Sequence, residues 1–264
     1  MLKTIMRTRR EEASYKFYSK LASTEDDPEI RSGRVASSSF QSPNKFIFND
    51  VIRKLEVKKN LSVLSIGIGC GEVSKYWLQR VKKLNLKLTC IDFPLVLDKM
   101  KEDNKKIISN NVDFIDGIFP TQTSNKLIGR SFDRIEAYSV IQCSDNPFEF
   151  IKSAVALLKP NGKLLIGDIP NLNKKGRFIT SNFGKEFDQK YTQKTDDQVF
   201  QYNHHEDFVK NALKEGSPGL TDSFILKVFK HFRKKGFNVF LSNQHSKLPF
   251  HFTREDLIIE APFE

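Results

Sequence analysis

The sequence predicts an α/β fold in which a mostly parallel sheet carries helices on both faces, and three observations lead there. Short apolar runs bounded by turn residues recur, as in Val63-Leu64-Ser65-Ile66, Leu86 to Phe93 and Val112 to Ile115. Stretches with apolar residues at helical spacing separate them, such as Val73, Trp77, Leu78 and Val81. Gly67, Gly69 and Gly71 then join the first run to the first of these helices, a turn that lets backbone approach a ligand with no side chain between. At 264 residues the chain is long enough for one such domain with appendages, residues 1–264 as a unit.

Residues 1–44 form an extension. Ala13, Phe17 and Leu21 predict an amphipathic helix over 5–22, followed by a turn-rich stretch from Thr24 to Pro43 whose Phe40-Gln41-Ser42 segment is placed to fold over a ligand. Phe46, Phe48, Val51, Ile52 and Leu55 predict a helix leading into the first strand. The core, 45–170, continues with the glycine turn, a helix, and a second strand ending at Asp92 about 20 residues beyond the glycines. A carboxylate at that place can accept both hydroxyls of a ribose. The third strand ends in Asp116-Gly117, and the fourth is Phe132 to Gln142. Asn146-Pro147-Phe148-Glu149 has the spacing of a capping box with proline at the first helical position. Lys159 to Gly162 stops that helix before a fifth strand, Lys163 to Asp168.

Residues 171–221 show little regular apolar period and are too long for a simple connection, so they read as a substrate-side insertion. Residues 222–264 close the domain with a helix stopped at Gly236, a strand from Phe237 to Leu241 and a last strand at Leu257 to Ile259.

The glycine turn discriminates between ligands. A dinucleotide fingerprint requires glycine at position 72, where this chain has Glu72, and no Gly-Lys-Ser/Thr follows to make a phosphate loop. Gly-x-Gly-x-Gly after an apolar strand, with Asp92 and the Phe132-Asp133-Arg134-Ile135 strand, resembles the class I S-adenosylmethionine-dependent methyltransferases. The resemblance covers roughly residues 45–260 and implies a Rossmann-like, seven-stranded sheet with one antiparallel strand. It implies S-adenosylmethionine as cofactor, held by Ser65, Gly67, Gly69, Gly71, Asp92, Phe93, Asp116, Gly117 and Tyr138, with Asp116 accepting from the adenine amino group. One departure stands out: the family has an acid, which helps hold the methionine amino group, where this chain has Ser65.

Ser139 to Gln142, Asp168 to Asn171 and Arg254 to Leu257 further resemble bacterial methyltransferases of sugar and surface-polysaccharide biosynthesis. That likeness implies O-methylation of an anionic sugar or nucleotide sugar. Asp168, His204 and His205 are the candidate bases, and Gln142, Asn171, Lys174, Lys175 and Arg177 the candidate acceptor-binding residues. A homodimer is compatible with this reading. Two other readings remain open, an RNA methyltransferase and a non-catalytic subunit with the same fold.

Net charge of +11 and pI near 9.4 would suit nucleic acid, an acidic membrane surface or a phosphorylated substrate. The lysines are nevertheless spread along the whole chain, and no Asn/Asp-Pro-Pro-aromatic motif for clamping a planar amine is present, which disfavours nucleic acid. Cys70, Cys90 and Cys143 lack metal-ligand spacing and read as free thiols, so no metal is expected. With no apolar run near the roughly 20 residues of a membrane span, a soluble, cytoplasmic protein is expected.

Overall fold

The structure is a computed structural model that describes residues 9–31, 43–192, 204–248 and 250–263. Its centre is strand β1 (Ser62–Ile66), which runs parallel to β2 (Lys87–Asp92) on one side and β4 (Phe132–Tyr138) on the other. β3 (Val112–Asp116) extends the sheet beyond β2, and β5 (Leu158–Pro170) extends it beyond β4, both in parallel. The last strand, β7 (Arg254–Glu260), inserts antiparallel between β5 and β6 (Asn238–Ser242). The order is β3-β2-β1-β4-β5-β7-β6, so the seven-stranded sheet with one antiparallel strand is as expected. The chain leaves β1 towards β2 and later returns to place β4 on the other flank. A crevice opens at such a switch of direction, outside the carboxyl ends of the strands.

Period-two alternation sends side chains to two cores. Leu64, Ile66, Ile135, Ala137 and Ile166 share one face with Phe150 of α6 (Pro147–Val155) and Val228 of α10 (Asp222–Arg233). Val63, Cys90 and Leu165 face the other way. They meet Ile47 and Val51 of α3 (Asn44–Lys54), Trp77 and Val81 of α4 (Glu72–Leu84) and Met100 of α5 (Pro94–Asn104). Helix starts follow the sequence signals: Asn146 Oδ1 accepts from Glu149 N at 3.1 Å, and Thr221 Oγ1 from Phe224 N at 3.3 Å.

The structure differs from expectation in four places. The N-terminal helix, α1, covers Arg9–Thr24, and the turn-rich stretch after it contains a short helix, α2 (Pro28–Arg31); Phe40-Gln41-Ser42 lies outside the described residues. β4 stops at Tyr138 because Ser139 turns to φ 60°, and a short 3₁₀ turn, Ile141–Cys143, follows instead of more strand. β5 and β7 are longer than expected: β5 begins at Leu158, where it pairs with Phe132 of β4 across the segment expected to stop the helix, and both strands pair beyond Asp168, across an irregularity between Ile166 and Ile169. The insertion is helical: α7 (Leu172–Ile179), α8 (Asn182–Thr192) and α9 (His205–Lys214). Leu172, Ile179 and Phe208 bury one another there, and Gly176 permits the close approach of α7 to α9, since a Cβ on it would stand 3.0 Å from the His205 carbonyl oxygen. An apolar contact this small leaves only a faint periodic trace in the sequence.

Candidate active site

The site begins where β1 ends. Gly67 and Gly69 take φ values of +71° and +70°, which favour glycine. A Cβ at Gly67 would lie 2.4 Å from Val140 Cγ2, whereas one at Gly69 would meet nothing within 4 Å. The first glycine therefore permits packing against the β4 turn, and the second leaves open space above the loop. Gly71 begins α4 with no side-chain cap, so the helix's first N–H groups lie beside that space.

Asp92, at the end of β2, ties the loop in place. Its Oδ2 accepts from Gly69 N at 2.7 Å and its Oδ1 from Phe93 N at 2.8 Å. Each carboxylate oxygen keeps a further lone-pair site for a ligand hydroxyl. Burial pushes the Asp92 carboxyl up to about 6, against the pull of these two N–H groups.

Together these elements floor a cavity. Its walls include Phe93 and Val96 of the β2–α5 turn, Gly117 to Phe119 after β3, Glu136 and Tyr138 to Val140 of β4 and the turn after it, and Asn44 and Ile47 of α3. Glu11, Ser14 and Tyr18 of α1 line it from above, and Arg31 of α2 from the side. α1 is seated by the edge of Tyr15 against Phe93, ring centroids 5.2 Å apart. Arg31 pins α2 to the glycine loop by donating from Nε to the Cys70 carbonyl at 3.2 Å, and it pairs with Asp103 of α5.

Two carboxylates stand at the β4 end, Glu136 lining the cavity and Asp168 behind Ser139. Glu136, in register with Ser65 on β1, accepts that residue's hydroxyl proton. Burial raises its carboxyl to about 7, although Ser65, the Trp77 indole beside it and a backbone N–H oppose the rise. Asp168, on β5, accepts from the Ser139 hydroxyl and, at 2.9 Å, from Gln244 Nε2. Ser139 and Asp168 both sit at φ +60°, a conformation that costs a non-glycine residue on the order of 1–3 kcal/mol. The two strained residues are hydrogen-bonded to each other, Ser139 lining the cavity and Asp168 behind it. Behind them, Asp168 N donates to Asp256 Oδ1 at 2.8 Å, and Asp256 pairs with Lys54 of α3 at 2.6 Å.

Comparison with known proteins agrees with this geometry. A family model described as a methyltransferase domain matches residues 64–166, from β1 to β5. The malonyl-[acyl-carrier protein] O-methyltransferase of Haemophilus ducreyi is 31% identical over 113 residues, which is 42% of this chain and 41% of the relative. The enzyme of that name from Halalkalibacterium halodurans is 33% identical over 106 residues, 39% of this chain and 37% of the relative. The chain thus aligns with about two-fifths of the length of these curated relatives. Among solved structures, phosphoethanolamine N-methyltransferase 1 of Haemonchus contortus superposes with a TM-score of 0.58 at 14% identity, over 96% of this chain and 49% of that one. The plantazolicin methyltransferase BpumL, solved with S-adenosylhomocysteine, gives 0.55 at 14% identity over 96% and 95%. The chain has a class I methyltransferase fold.

Within this methyltransferase fold, the structure divides the residues expected at the site. Gly67, Gly69, Gly71, Asp92, Phe93, Gly117 and Tyr138 all line the cavity. Ser65 is buried below it and reaches it only through Glu136. Asp116 departs from expectation: its carboxylate is turned to Lys126 Nζ at 2.6 Å on the surface, and Gly117 lines the cavity in its stead. Asp168 is set behind Ser139.

None of the expected acceptor-binding residues lines the cavity, and each has a structural partner instead. Gln142 donates to the Ser139 carbonyl at 2.8 Å. Asn171 caps α7 and donates to Asp222 and Glu255. Lys174 donates to the Arg254 carbonyl at 2.7 Å, Lys175 lies over the Phe208 ring, and Arg177 pairs with Asp222 at 2.8 Å. His204 and His205 start α9, whose Phe208 packs on α7, and His205 pairs with Glu206. The insertion holds them away from the cavity walls.

Sequence reasoning missed Glu136, Ser139 as a lining residue, and the α1 and α2 side chains. The only trace of Glu136 in the sequence is an acid between Ile135 and Ala137, which by itself tells neither the face it takes nor the residue beside it. Among the described residues, no group of three or more His, Cys, Asp or Glu is placed to hold a metal ion, and no helix is long and apolar enough to cross a membrane.

Proposed function

We propose that the chain is an S-adenosylmethionine-dependent methyltransferase acting on an oxygen of a small-molecule acceptor. One observation carries the reading: the glycine loop, Asp92 and the switch in strand order between β1 and β4 meet in a single cavity. The residues present fit the cofactor, because Gly69 leaves the space above the loop open and Asp92 keeps acceptor capacity towards it. Asp92 holds the ribose hydroxyls, the Gly117–Phe119 segment flanks the base, and Glu136 and Tyr138 border the opposite end.

When bound, the cofactor supplies a methyl group on a positively charged sulfur, open to displacement by a nucleophile. The protein's part is to hold donor and acceptor in line, exclude water and receive the acceptor's proton. α1 covers the cavity and serves the second task. Asp168 is our candidate for the third, with Ser139 relaying the proton from the cavity mouth; general-base help of this kind is worth roughly 10²- to 10⁴-fold. Their hydrogen bond and shared strained backbone support a hydroxyl acceptor, whose proton must leave.

For the finer identity of the acceptor we keep a sugar or nucleotide sugar, as the narrower sequence resemblance implies. The curated relatives, malonyl-[acyl-carrier protein] O-methyltransferases, make a carboxyl oxygen the competing reading. The test is calorimetry with S-adenosylhomocysteine and NAD, followed by a screen of hydroxyl and carboxyl acceptors with methyl-labelled S-adenosylmethionine. Binding of S-adenosylhomocysteine and label transfer to oxygen are expected. Binding of NAD alone overturns the cofactor assignment, and binding without transfer to any acceptor favours a non-catalytic subunit.

A further inference from the structure

Glu136 stands at the centre of β4, with its neighbours Ile135 and Ala137 turned to the opposite core and its own side chain on the face that holds Trp77 and Cys90. It is 4% exposed and lines the cavity. The Ser65 hydroxyl donates to it. Among the described residues, no lysine or arginine forms an ion pair with it, and no cation acts on its titration. A carboxylate taken out of water without a countercharge is costly, and a fold retains one there only if something offsets the cost. Since the carboxylate lines a ligand cavity, the ligand can bring that countercharge.

The proposed cofactor carries a suitable group. Both S-adenosylmethionine and S-adenosylhomocysteine have an α-ammonium on the amino-acid part, whereas 5′-methylthioadenosine keeps the nucleoside and the sulfur but lacks that part. We propose that Glu136 is the anchor for the α-ammonium of the cofactor, serving from β4 the role that the resemblance gives to an acid at the β1 position held here by Ser65.

The register favours a single acid at this pair. Ser65 and Glu136 are partners across the β1–β4 pair, so acids at both positions would put two like charges side by side in a buried site. Ser65 is small, and its hydroxyl orients the carboxylate that replaces the one it lacks. The inference rests on the methyltransferase reading and is tested so that the two can fail separately.

Calorimetry at pH 8 on the full chain would compare S-adenosylhomocysteine with 5′-methylthioadenosine. Glu136→Gln should weaken S-adenosylhomocysteine roughly 10- to 100-fold, the loss of a charged hydrogen-bonded pair, and leave 5′-methylthioadenosine within about twofold. A second variant, Ser65→Asp with Glu136→Ala, returns the acid to β1 and should recover most of the lost affinity, which a merely structural Glu136 would not allow. Unchanged S-adenosylhomocysteine binding in Glu136→Gln, or equal weakening of both nucleosides, overturns the role of Glu136 while the cofactor assignment stands. Wild-type protein that binds neither nucleoside overturns the cofactor assignment, and this inference with it.

Discussion

The two halves of the sheet treat buried polar groups in opposite ways. On the β1–β2–β4 side, Asp92 and Glu136 are buried at a cavity with few partners, and both carboxyls are raised, to about 6 and about 7. On the β5–β7 side, the buried polar groups consume one another: Lys54 bonds Asp50, Asp256 and the Asn243 carbonyl, while Asn171 donates to Asp222 and Glu255. A fully partnered buried charge is explained by the fold. One left short of partners at a cavity has its explanation in a ligand. Substitutions on the first side should therefore change binding, and those on the second, Asp168 apart, should change stability.

The largest effect expected is on the partnered side. Lys54→Met leaves Asp256 buried without its cation and Asp50 with Arg53 alone, a loss of roughly 3–5 kcal/mol by analogy with broken buried pairs. Chemical denaturation would read it as a lower midpoint at unchanged slope, with S-adenosylhomocysteine affinity near that of the wild type. A large fall in affinity with intact stability would break the comparison.

Asp92→Ala comes next and belongs to the under-partnered side. Hydrogen bonds to a charged acceptor are worth roughly 1.5–3 kcal/mol each, so losing two ribose contacts should weaken binding at least about a hundredfold. Because the ribose is common to both probes, S-adenosylhomocysteine and 5′-methylthioadenosine should weaken together, unlike in Glu136→Gln. Weakening of one alone would place the ribose away from Asp92.

How much of this was legible in the sequence follows the same division. The glycine loop and Asp92 were legible because their chemistry is local: a turn, a strand end and a fixed spacing. The order of elements was legible from period and caps, as at Asn146. Glu136 was not, because an acid within a strand shows neither which face it takes nor which residue stands beside it, and its pairing with Ser65 spans 71 residues. The basic residues after β5 misled for the converse reason. Lys174 and Arg177 read as free charge until the fold supplied Arg254 and Asp222, from 80 and 45 residues away.

A smaller effect sharpens the comparison through pH. The folded Glu136 carboxyl sits near 7, above the ordinary 4.5, so the folded protein holds this proton more tightly than the unfolded chain does. Its ionisation thus costs the ligand-free protein stability that is lost as pH rises from about 4.5 to 7, up to roughly 3 kcal/mol. The groups facing it, Ser65, Trp77 and the Cys90 thiol, which burial pushes well above its ordinary value, do not titrate in that window. Glu136→Gln should therefore melt higher than wild type at pH 8, by a few degrees, with the gap narrowing towards pH 4. A constant gap across that range would mean that the charge is not what the site tolerates for its ligand.

The smallest effect is expected where sequence reading placed the acceptor. Lys174 is half-buried against the Arg254 carbonyl, Lys175 covers Phe208, and Arg177 pairs with a partly exposed Asp222. Exposed ion pairs and cation–ring contacts contribute about 0–1 kcal/mol each. Replacing all three by alanine should therefore lower stability modestly, about 1–2 kcal/mol in sum, with helix content retained. Once an acceptor is known, its KM should move less than threefold, and the response of KM to added salt should stay as in the wild type, because no charge has been taken from the cavity. A higher KM that also loses its salt sensitivity would show that these side chains leave their partners to meet an anionic acceptor. That result would erase the division between the two halves and give the nucleotide-sugar reading the local support that the partnered geometry withholds.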